Sequence, residues 1–239
     1  IMSLKTSIIL CVFNEEKYIE NTILELEKKI SNLEIIIVDD FSSDGTIDIL
    51  KKINQEGKHK VIFRKKSRSL GSAFVRGVIE TTGDYIGWVD ANMSEVINKF
   101  PKMIQELETD NDIILLSRYV DGGDDKRILL RSLSSRIFNR FCKIVLRTPV
   151  NDYTGSIFLM KRKVLDEVTF LGYGYGGEFF LEFIYNAYNK NFKIKEIPYI
   201  QNKDEDIMNS KGAPNLIKFF YFGIMYFFRI FITLMRKKN

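Results

Sequence analysis

Short apolar runs alternate with longer amphipathic stretches through the first 120 residues of the chain. The runs are rich in β-branched residues and too short for helices, whereas the longer stretches repeat their apolar residues at helical spacing. This pattern predicts strands at residues 7–13, 33–38, 60–63, 85–89 and 113–117, and helices at about 14–31, 46–53, 70–81 and 98–107. Such alternation is typical of an α/β fold, with a mostly parallel sheet between layers of helices.

The pattern changes after residue 120, where a polar link leads into a helical stretch at 127–147 whose basic residues pair at i, i+4 positions. We then expect a loop at 151–156, a strand at 157–160, a helix at 178–189 and a strand at 193–197. The chain therefore divides into one α/β domain at 1–206, whose halves meet near residue 120, and a separate tail at 207–239.

The tail contains a run at 216–234 with eight aromatic residues between Phe219 and Phe231. Lys218 and Arg229 interrupt it, and their spacing of eleven residues places both on one helical face. This favours an amphipathic helix that lies in a membrane interface over one that spans the bilayer. The alternatives are a helix buried on the domain or a contact with a second copy of the chain.

Charge and composition narrow the classes of function. The chain has 36 basic and 31 acidic residues, but the tail has six basic residues and no acidic one, which leaves 30 basic against 31 acidic elsewhere. This argues against a general nucleic-acid binder and for contact with a local anionic surface. Two distant cysteines and the single His59 indicate neither a disulfide framework nor a histidine metal site, so we expect a protein of the reducing cytoplasm.

Polar side chains follow several of the predicted strands at their carboxyl ends, where ligands bind in parallel sheets. Asp39 and Asp40 follow the second strand, and Asp90 and Asn92 follow the fourth. Two oxygen-bearing side chains two residues apart can share a hard cation that also holds a diphosphate. Asn92 supplies no charge, which lowers the expected affinity for the metal.

Taken together, these motifs resemble those of family-2 glycosyltransferases with the GT-A (Rossmann-like) fold, most closely polyprenyl-phosphate sugar synthases of the dolichyl-phosphate mannose synthase type. The similarity runs from about Ser7 to Lys211. It is carried by residues 12–16, 38–46, 83–92, 117–119, 131–139 and 152–156. The resemblance implies that 1–120 is a nucleotide-binding half and 121–206 an acceptor half.

For the donor, the resemblance implies that Cys11, Phe13 and Glu15 line the nucleotide base and ribose of a UDP- or GDP-linked sugar, and that Asp39 or Asp40 accepts a hydrogen bond from the base. The two aspartates could instead form turns or cap a helix. Gly71 would let the backbone approach the donor, or would simply start a helix.

Asp90 and Asn92 would hold Mg²⁺ or Mn²⁺ between the donor phosphates, with Asp90 also taking part in catalysis. The other interpretation of Asn92 is an ordinary turn residue after a strand.

For the acceptor, the resemblance implies that Arg118, Arg131, Ser135 and Arg136 bind a phosphate. Guanidinium groups suit bidentate phosphate contacts, although charges at i, i+4 also occur on solvated helical faces. Asp152 and Glu182 match acidic positions of the family and could act as a base, orient the acceptor, or be ordinary acidic residues.

The function implied is an inverting transfer of a sugar from a nucleotide-diphosphate donor to a polyprenyl phosphate, by an enzyme peripheral to the cytoplasmic face of the membrane. A saccharide acceptor, as in surface polysaccharide assembly, is one alternative. A non-catalytic scaffold is another, motivated by Asn92, Glu205 and Met208.

Overall fold

A computed structural model describes residues 4–65, 69–168, 177–202 and 216–236, with the side chains of the last segment described from residue 223. The strands are β1 (Thr6–Val12), β2 (Leu33–Asp39), β3 (Lys60–Phe63), β4 (Tyr85–Trp88), β5 (Ile113–Ser117), β6 (Asp124–Asp125), β7 (Phe158–Lys161), β8 (Ile194–Pro198) and β9 (Ile200–Gln201). The helices are α1 (Ile19–Lys29), α2 (Thr46–Glu56), α3 (Leu70–Ile79), α4 (Phe100–Leu107), α5 (Leu129–Leu146), α6 (Lys163–Glu167), α7 (Glu178–Asn189) and α8 (Leu216–Arg236), and a 3₁₀ helix covers Ser94–Lys99. Residues 205 and 208 lie outside the described ranges.

The described strands form a seven-stranded sheet in the order β3-β2-β1-β4-β7-β5-β8 and a two-stranded sheet of β6 and β9. Strand β7 runs antiparallel to β4 and β5, and the other neighbours in the large sheet are parallel. This confirms the mostly parallel sheet predicted from the sequence. Val12 pairs with Asp39, so the first two strands end side by side and their loops meet at one edge.

Two apolar layers cover the large sheet, because alternate strand residues point to opposite faces. Ile8 and Leu10 of β1 face the layer that contains α1 and α4. Ile9 faces the layer that contains α3, α5 and α7, to which α8 adds Ile230. The sheet is thus a rigid platform for the loops at its carboxyl edge.

The first helix differs from the prediction, because it begins at Ile19 rather than near Asn14. Asn14 adopts a left-handed conformation with φ 59°. Its amide N–H donates to Ser42 Oγ at 2.9 Å, and its side-chain Oδ1 accepts from the Ser43 amide at 2.8 Å. The residues after β1 therefore form a loop tied to the loop after β2, and tertiary hydrogen bonds replace the expected helical turn.

The predicted helix in the tail is confirmed, and it packs on the domain through α7. Arg229 is buried against the domain, whereas Phe228 and Phe231 are exposed on the outer side. No helix among the described residues, α8 included, is both long enough and apolar enough to cross a bilayer.

Candidate active site at the carboxyl ends of the strands

The loops after β1 and β2 interlock and present the residues predicted to contact the nucleotide. The Glu15 amide donates to Thr46 Oγ1 at 2.8 Å, and the Gly45 amide donates to Glu16 Oε2 at 2.7 Å. These contacts leave Phe13 exposed beside half-buried Cys11 and Glu15. An exposed ring next to half-buried polar groups suits a surface on which a base and ribose could lie.

Asp39 and Asp40 are both buried but have different partners. The Ser42 amide donates to the Asp39 carboxylate at 3.3 and 3.4 Å. Asp40 forms an ion pair with Arg64 at 3.1 Å and accepts from the Ser69 amide at 2.9 Å. Asp40 thereby fixes the start of α3, where Ser69 is the N-cap, while the longer contacts to Asp39 leave it the better candidate to accept from a base.

Gly71 is buried in the first turn of α3, directly after this cap. This position agrees with both interpretations made from the sequence, close approach of a donor and the start of a helix.

Asp90 follows β4 in a tight turn, in which the Met93 amide donates to the Asp90 carbonyl at 3.1 Å. Burial raises the pKa of the Asp90 carboxyl to about 6, and no described residue neutralises it. Burial, with Asp90 and Asp40 nearby, also raises the pKa of the Cys11 thiol. Strand β1 pairs with β2 and with β4, with Val12 opposite Asp39 and Ile9 opposite Trp88, so the residues that follow the three strands lie at one edge of the sheet.

The residues at this turn fit a hard divalent cation. Asp90 has a half-buried carboxylate that no described residue neutralises, and exposed Asn92 offers an amide oxygen two residues later. Within the described ranges, no three His, Cys, Asp or Glu side chains gather as a metal-binding group. Diphosphate oxygens and water would complete the coordination of a cation held by these two side chains.

Arg118, directly after β5, and Asp152, in the loop before β7, form a buried ion pair. Arg118 Nε donates to Asp152 Oδ2 at 2.8 Å, and Nη2 donates to Oδ1 at 2.7 Å. Further donations reach Thr154 Oγ1 at 2.6 Å and Gln201 Oε1 at 3.0 Å. This geometry favours a structural role for Arg118 over the predicted contact with an acceptor phosphate, because its donors already meet protein oxygens.

Asp152 is also fully engaged. Burial alone would raise its pKa, but the charge and hydrogen bonds of Arg118 keep the pKa of this carboxyl below its ordinary value. A base must accept a proton, and a carboxylate held on both oxygens by a guanidinium is poorly suited to do so. The geometry therefore favours an orienting role for Asp152 among the roles expected from the sequence.

Ser135 belongs to the same buried network. Its hydroxyl lies 2.9 Å from Thr154 Oγ1, to which Asn139 Nδ2 donates at 2.8 Å. Asn139 Oδ1 in turn accepts from the Tyr153 amide at 2.5 Å. These contacts join α5 to the loop at 152–156 and explain why the two motifs occur together in the sequence.

The two other predicted phosphate ligands lie on the outer part of α5. Arg136 is exposed, with its guanidinium carbon 5.7 Å from the ring centroid of Tyr119. Arg131 is half-buried. Of the predicted cations, Arg136 is the best placed to receive a phosphate from solvent.

Glu182 lies on α7 and is occupied by the C-terminal helix. Its Oε2 accepts from Arg229 Nη1 at 3.1 Å, and its Oε1 accepts from Arg236 Nη1 at 2.8 Å. The structure therefore favours a role in holding α8 over the predicted role as a base.

Sequence reasoning assigned no site role to Asn139, Arg64, Gln201 or Tyr226. Asn139 was within reach, since it follows Ser135 by one helical turn inside a motif that was recognised. The other three depend on contacts between distant segments, for which the sequence carries no local signal.

Comparison with known proteins gives consistent results. Residues 7–169 match the family described as "Glycosyl transferase family 2". A dolichol-phosphate mannosyltransferase of Pyrococcus furiosus is 26% identical over 226 residues, which cover 91% of this chain and 63% of that protein. A polyprenol monophosphomannose synthase of Mycolicibacterium smegmatis is 24% identical over 220 residues, which cover 89% of this chain and 83% of that protein.

Among solved structures, the fold resembles glucosyl-3-phosphoglycerate synthase from Mycobacterium tuberculosis, in complex with Mn²⁺, UDP and phosphoglyceric acid. The TM-score is 0.64 at 16% identity, and the match covers 87% of this chain and 74% of that one. S. aureus TarS 1–349 matches with a TM-score of 0.58 at 19% identity, over 83% of this chain and 60% of that one. At these identities the likeness establishes the fold.

Proposed function

The chain belongs to glycosyl transferase family 2 and has the GT-A fold, and on that basis we propose that it transfers a sugar, with inversion, from a nucleotide-diphosphate donor to a polyprenyl phosphate. One attack on the anomeric carbon, from the side opposite the leaving diphosphate, gives inversion. Two relatives are named for transfer to dolichol phosphate or polyprenol phosphate, although this chain spans only 63% of the length of the first.

The donor would lie across the ends of β1, β2 and β4. Phe13 and Glu15 would contact the base and ribose of a UDP- or GDP-linked sugar, with Asp39 as a hydrogen-bond acceptor for the base. Asp90 and Asn92 would hold Mg²⁺ or Mn²⁺, which when bound would neutralise the charge of the leaving diphosphate. M. tuberculosis glucosyl-3-phosphoglycerate synthase has been solved with Mn²⁺ and with Mg²⁺, which supports the choice of cation.

The observation that carries the acceptor assignment is that both acids predicted as a general base are paired with arginines. Asp152 is held by Arg118, and Glu182 by Arg229. A saccharide hydroxyl needs a base to remove its proton, whereas a phosphate is already ionised. The arrangement therefore supports a phosphate acceptor over a saccharide one.

A basic and apolar surface supports contact with a membrane. Leu133 and Ile137 of α5 and Phe228 and Phe231 of α8 expose their side chains, and the segments 126–151 and 207–239 contain no acidic residue. The rings of Phe141 and Phe227, 5.3 Å apart, join the two helices into one surface. Exposed apolar groups flanked by cations suit the anionic cytoplasmic face of a membrane, where a lipid phosphate would be found.

The proposal is tested by incubating the protein and Mn²⁺ with radiolabelled UDP- and GDP-sugars and a polyprenyl phosphate. We expect a labelled lipid with one of the donors, and none from Asp90→Asn under the same conditions. Parallel reactions with oligosaccharides in place of the lipid test the alternative acceptor. Label in the oligosaccharide alone, or no transfer with any common donor, would refute the proposal.

The scaffold alternative is tested by calorimetry with UDP and GDP, with and without Mn²⁺. The scaffold alternative is motivated by Asn92, because the turn at 90–92 then has a single carboxylate, that of Asp90. Tight binding that depends on the metal would count against a scaffold and would identify the base.

A further inference from the structure

In the part of α8 whose side chains are described, Arg229 and Thr233 are buried against the domain, while several large apolar side chains are exposed. Arg229 is 7% exposed and Thr233 1%, whereas Phe231 is 62% exposed. Arg229 and Thr233 are one turn apart and share the inner face. A buried arginine needs an acidic partner, because an unpaired charge away from water is strongly unfavourable.

That partner is Glu182, in the middle of α7. The carboxylate accepts from Arg229 Nη1 at 3.1 Å through one oxygen and from Arg236 Nη1 at 2.8 Å through the other. Glu182 and Arg229 are both buried, while Arg236 is half in solvent. The pair therefore fixes both the position of α8 along α7 and its rotation about its own axis.

This rotation directs Tyr226 toward the acceptor half of the site. The Tyr226 ring packs edge-on against Phe138 of α5, with centroids 5.3 Å apart. A Cβ atom on Gly177 would lie 3.0 Å from the Tyr226 hydroxyl oxygen and 2.9 Å from Ser156 Oγ. Residue 177 must therefore be glycine for the two hydroxyls to lie where they do.

The surroundings of Tyr226 connect it to the Arg118–Asp152 pair. Ser156 ends the loop that begins with Asp152, and it adopts a left-handed conformation with φ 57°. Burial raises the pKa of the Tyr226 hydroxyl, with Glu178 adding to the effect and the charges of Arg118 and Asp152 also acting on it. The phenol therefore stays protonated and can donate a hydrogen bond.

We propose that Glu182 is a positioning residue which, paired with Arg229, seats α8 so that the Tyr226 hydroxyl forms part of the acceptor site. The hydroxyl would donate to an oxygen of the acceptor phosphate, next to Ser156. This inference rests on the proposed function and adds a substrate contact from a helix beyond the family match at 7–169. Glu182 then acts by positioning Tyr226 and not as a general base.

Three variants test the role of Glu182. Glu182→Met removes the carboxylate that faces buried Arg229, and Arg229→Met leaves Glu182 with only the half-exposed Arg236. Glu182→Met/Arg229→Met replaces the buried pair with apolar groups of similar length. We expect each single variant to lower the melting temperature and to raise KM for the polyprenyl phosphate by about tenfold or more. We expect the double variant to recover the melting temperature and to bring KM to within about threefold of the wild type.

A general base could not be replaced by methionine in any background. A double variant that regains its melting temperature but keeps kcat lowered by about 100-fold would overturn the positioning role. So would single variants with unchanged melting temperature and unchanged KM.

Tyr226→Phe tests the substrate contact, with Tyr188→Phe, on the exposed side of α7, as the matched control. Loss of one hydrogen bond to a charged phosphate should raise KM for the lipid about tenfold, with the affinity for UDP or GDP unchanged. Calorimetry with a water-soluble short-chain prenyl phosphate should show the same loss without catalysis. Equal affinity of Tyr226→Phe, Tyr188→Phe and wild type for this ligand, or no binding to any of them, would overturn the contact.

These outcomes separate the inference from the proposed function. If binding of the prenyl phosphate depends on Tyr226 but no sugar is transferred, the inference is supported and the proposed function is refuted. If Tyr226→Phe transfers sugar normally, the proposed function is supported and the inference is refuted.

Discussion

Asp90, in the nucleotide-binding half, and Asp152, in the acceptor half, have opposite environments. Asp90 has no described partner, and burial raises its pKa to about 6. Asp152 is fully buried, but Arg118 holds its pKa below the ordinary value. A carboxylate whose charge no described group neutralises can bind a cation, whereas one paired with a guanidinium stabilises the fold. Asp90 is therefore the candidate ligand for a metal, and Asp152 is a structural partner of Arg118.

Breaking the Arg118–Asp152 ion pair should have the largest effect on stability. Arg118→Leu leaves the Asp152 carboxylate buried without its cation, and should lower the free energy of unfolding by about 3–5 kcal/mol. Urea denaturation measures the loss, with Arg140→Leu on the exposed side of α5 as the control. A stability within about 1 kcal/mol of the wild type would show that the pair does not hold this half together.

Removing the charge of Asp90 should weaken metal-dependent binding without destabilising the fold. Asp90→Asn should weaken Mn²⁺-dependent binding of the nucleotide by about 100-fold, because the metal loses the Asp90 carboxylate. Calorimetry without metal should show no loss, since the variant removes a charge that repels the diphosphate. Exposed Asp166→Asn is the control, and an equal loss with and without metal would contradict the assignment.

The pH dependence of stability should have opposite signs in the two halves. The raised pKa of Asp90, about 6, makes a contribution to stability that is present below pH ~4 and lost as the pH rises through 6. Metal-free Asp90→Asn should therefore be more stable than the wild type by about 3 kcal/mol at pH 8, with the difference becoming small near pH 4.

Asp125, in the acceptor half, should behave in the reverse way. Burial opposes its ionisation, but Arg127 and Arg118 lower the pKa of this carboxyl to about 2. Its contribution is present above its ordinary pKa and is lost as the pH falls toward 2. Carboxyl NMR titrations of the metal-free protein check both values, and similar pKa values for Asp90 and Asp125 would remove the contrast.

Adding a carboxylate next to Asp90 should strengthen metal-dependent binding. Asn92→Asp gives the cation a second carboxylate and should tighten Mn²⁺-dependent nucleotide binding about tenfold. Asn98→Asp makes the same change of charge at an exposed site nearby and should have little effect. Similar gains in both variants would mean that general electrostatics, rather than coordination, is responsible.

The smallest effect is expected for Arg136, the exposed cation of the acceptor half. Arg136→Gln should raise KM for a polyprenyl phosphate about threefold and change the free energy of unfolding by less than about 0.5 kcal/mol. Arg140→Gln, one turn further along α5, is the matched control. Equal KM values for the two variants would show that Arg136 does not contact the acceptor.

Much of the fold and part of the site could be predicted from local sequence pattern. The apolar run at 33–38 and the helical spacing at 46–53 gave β2 and α2 close to their observed positions. Asp90 and Asn92 were recognisable because they directly follow a strand, and ligand sites lie at strand ends in parallel sheets. The start of α1 was not predictable, because hydrogen bonds from residues 42–43 hold Asn14 outside the helix.

The sequence by itself determined the order of strands and helices, the edge of the sheet that carries the polar residues, and the apolar character of the C-terminal helix. These follow from periodicity and neighbouring residues alone. Only the tertiary structure decided which charges are neutralised, because Arg118 meets Asp152 across 34 residues and Arg229 meets Glu182 across 47. Contacts at such separations depend on how the layers pack, so Glu182 could be named from the sequence but its role as a partner of α8 could not.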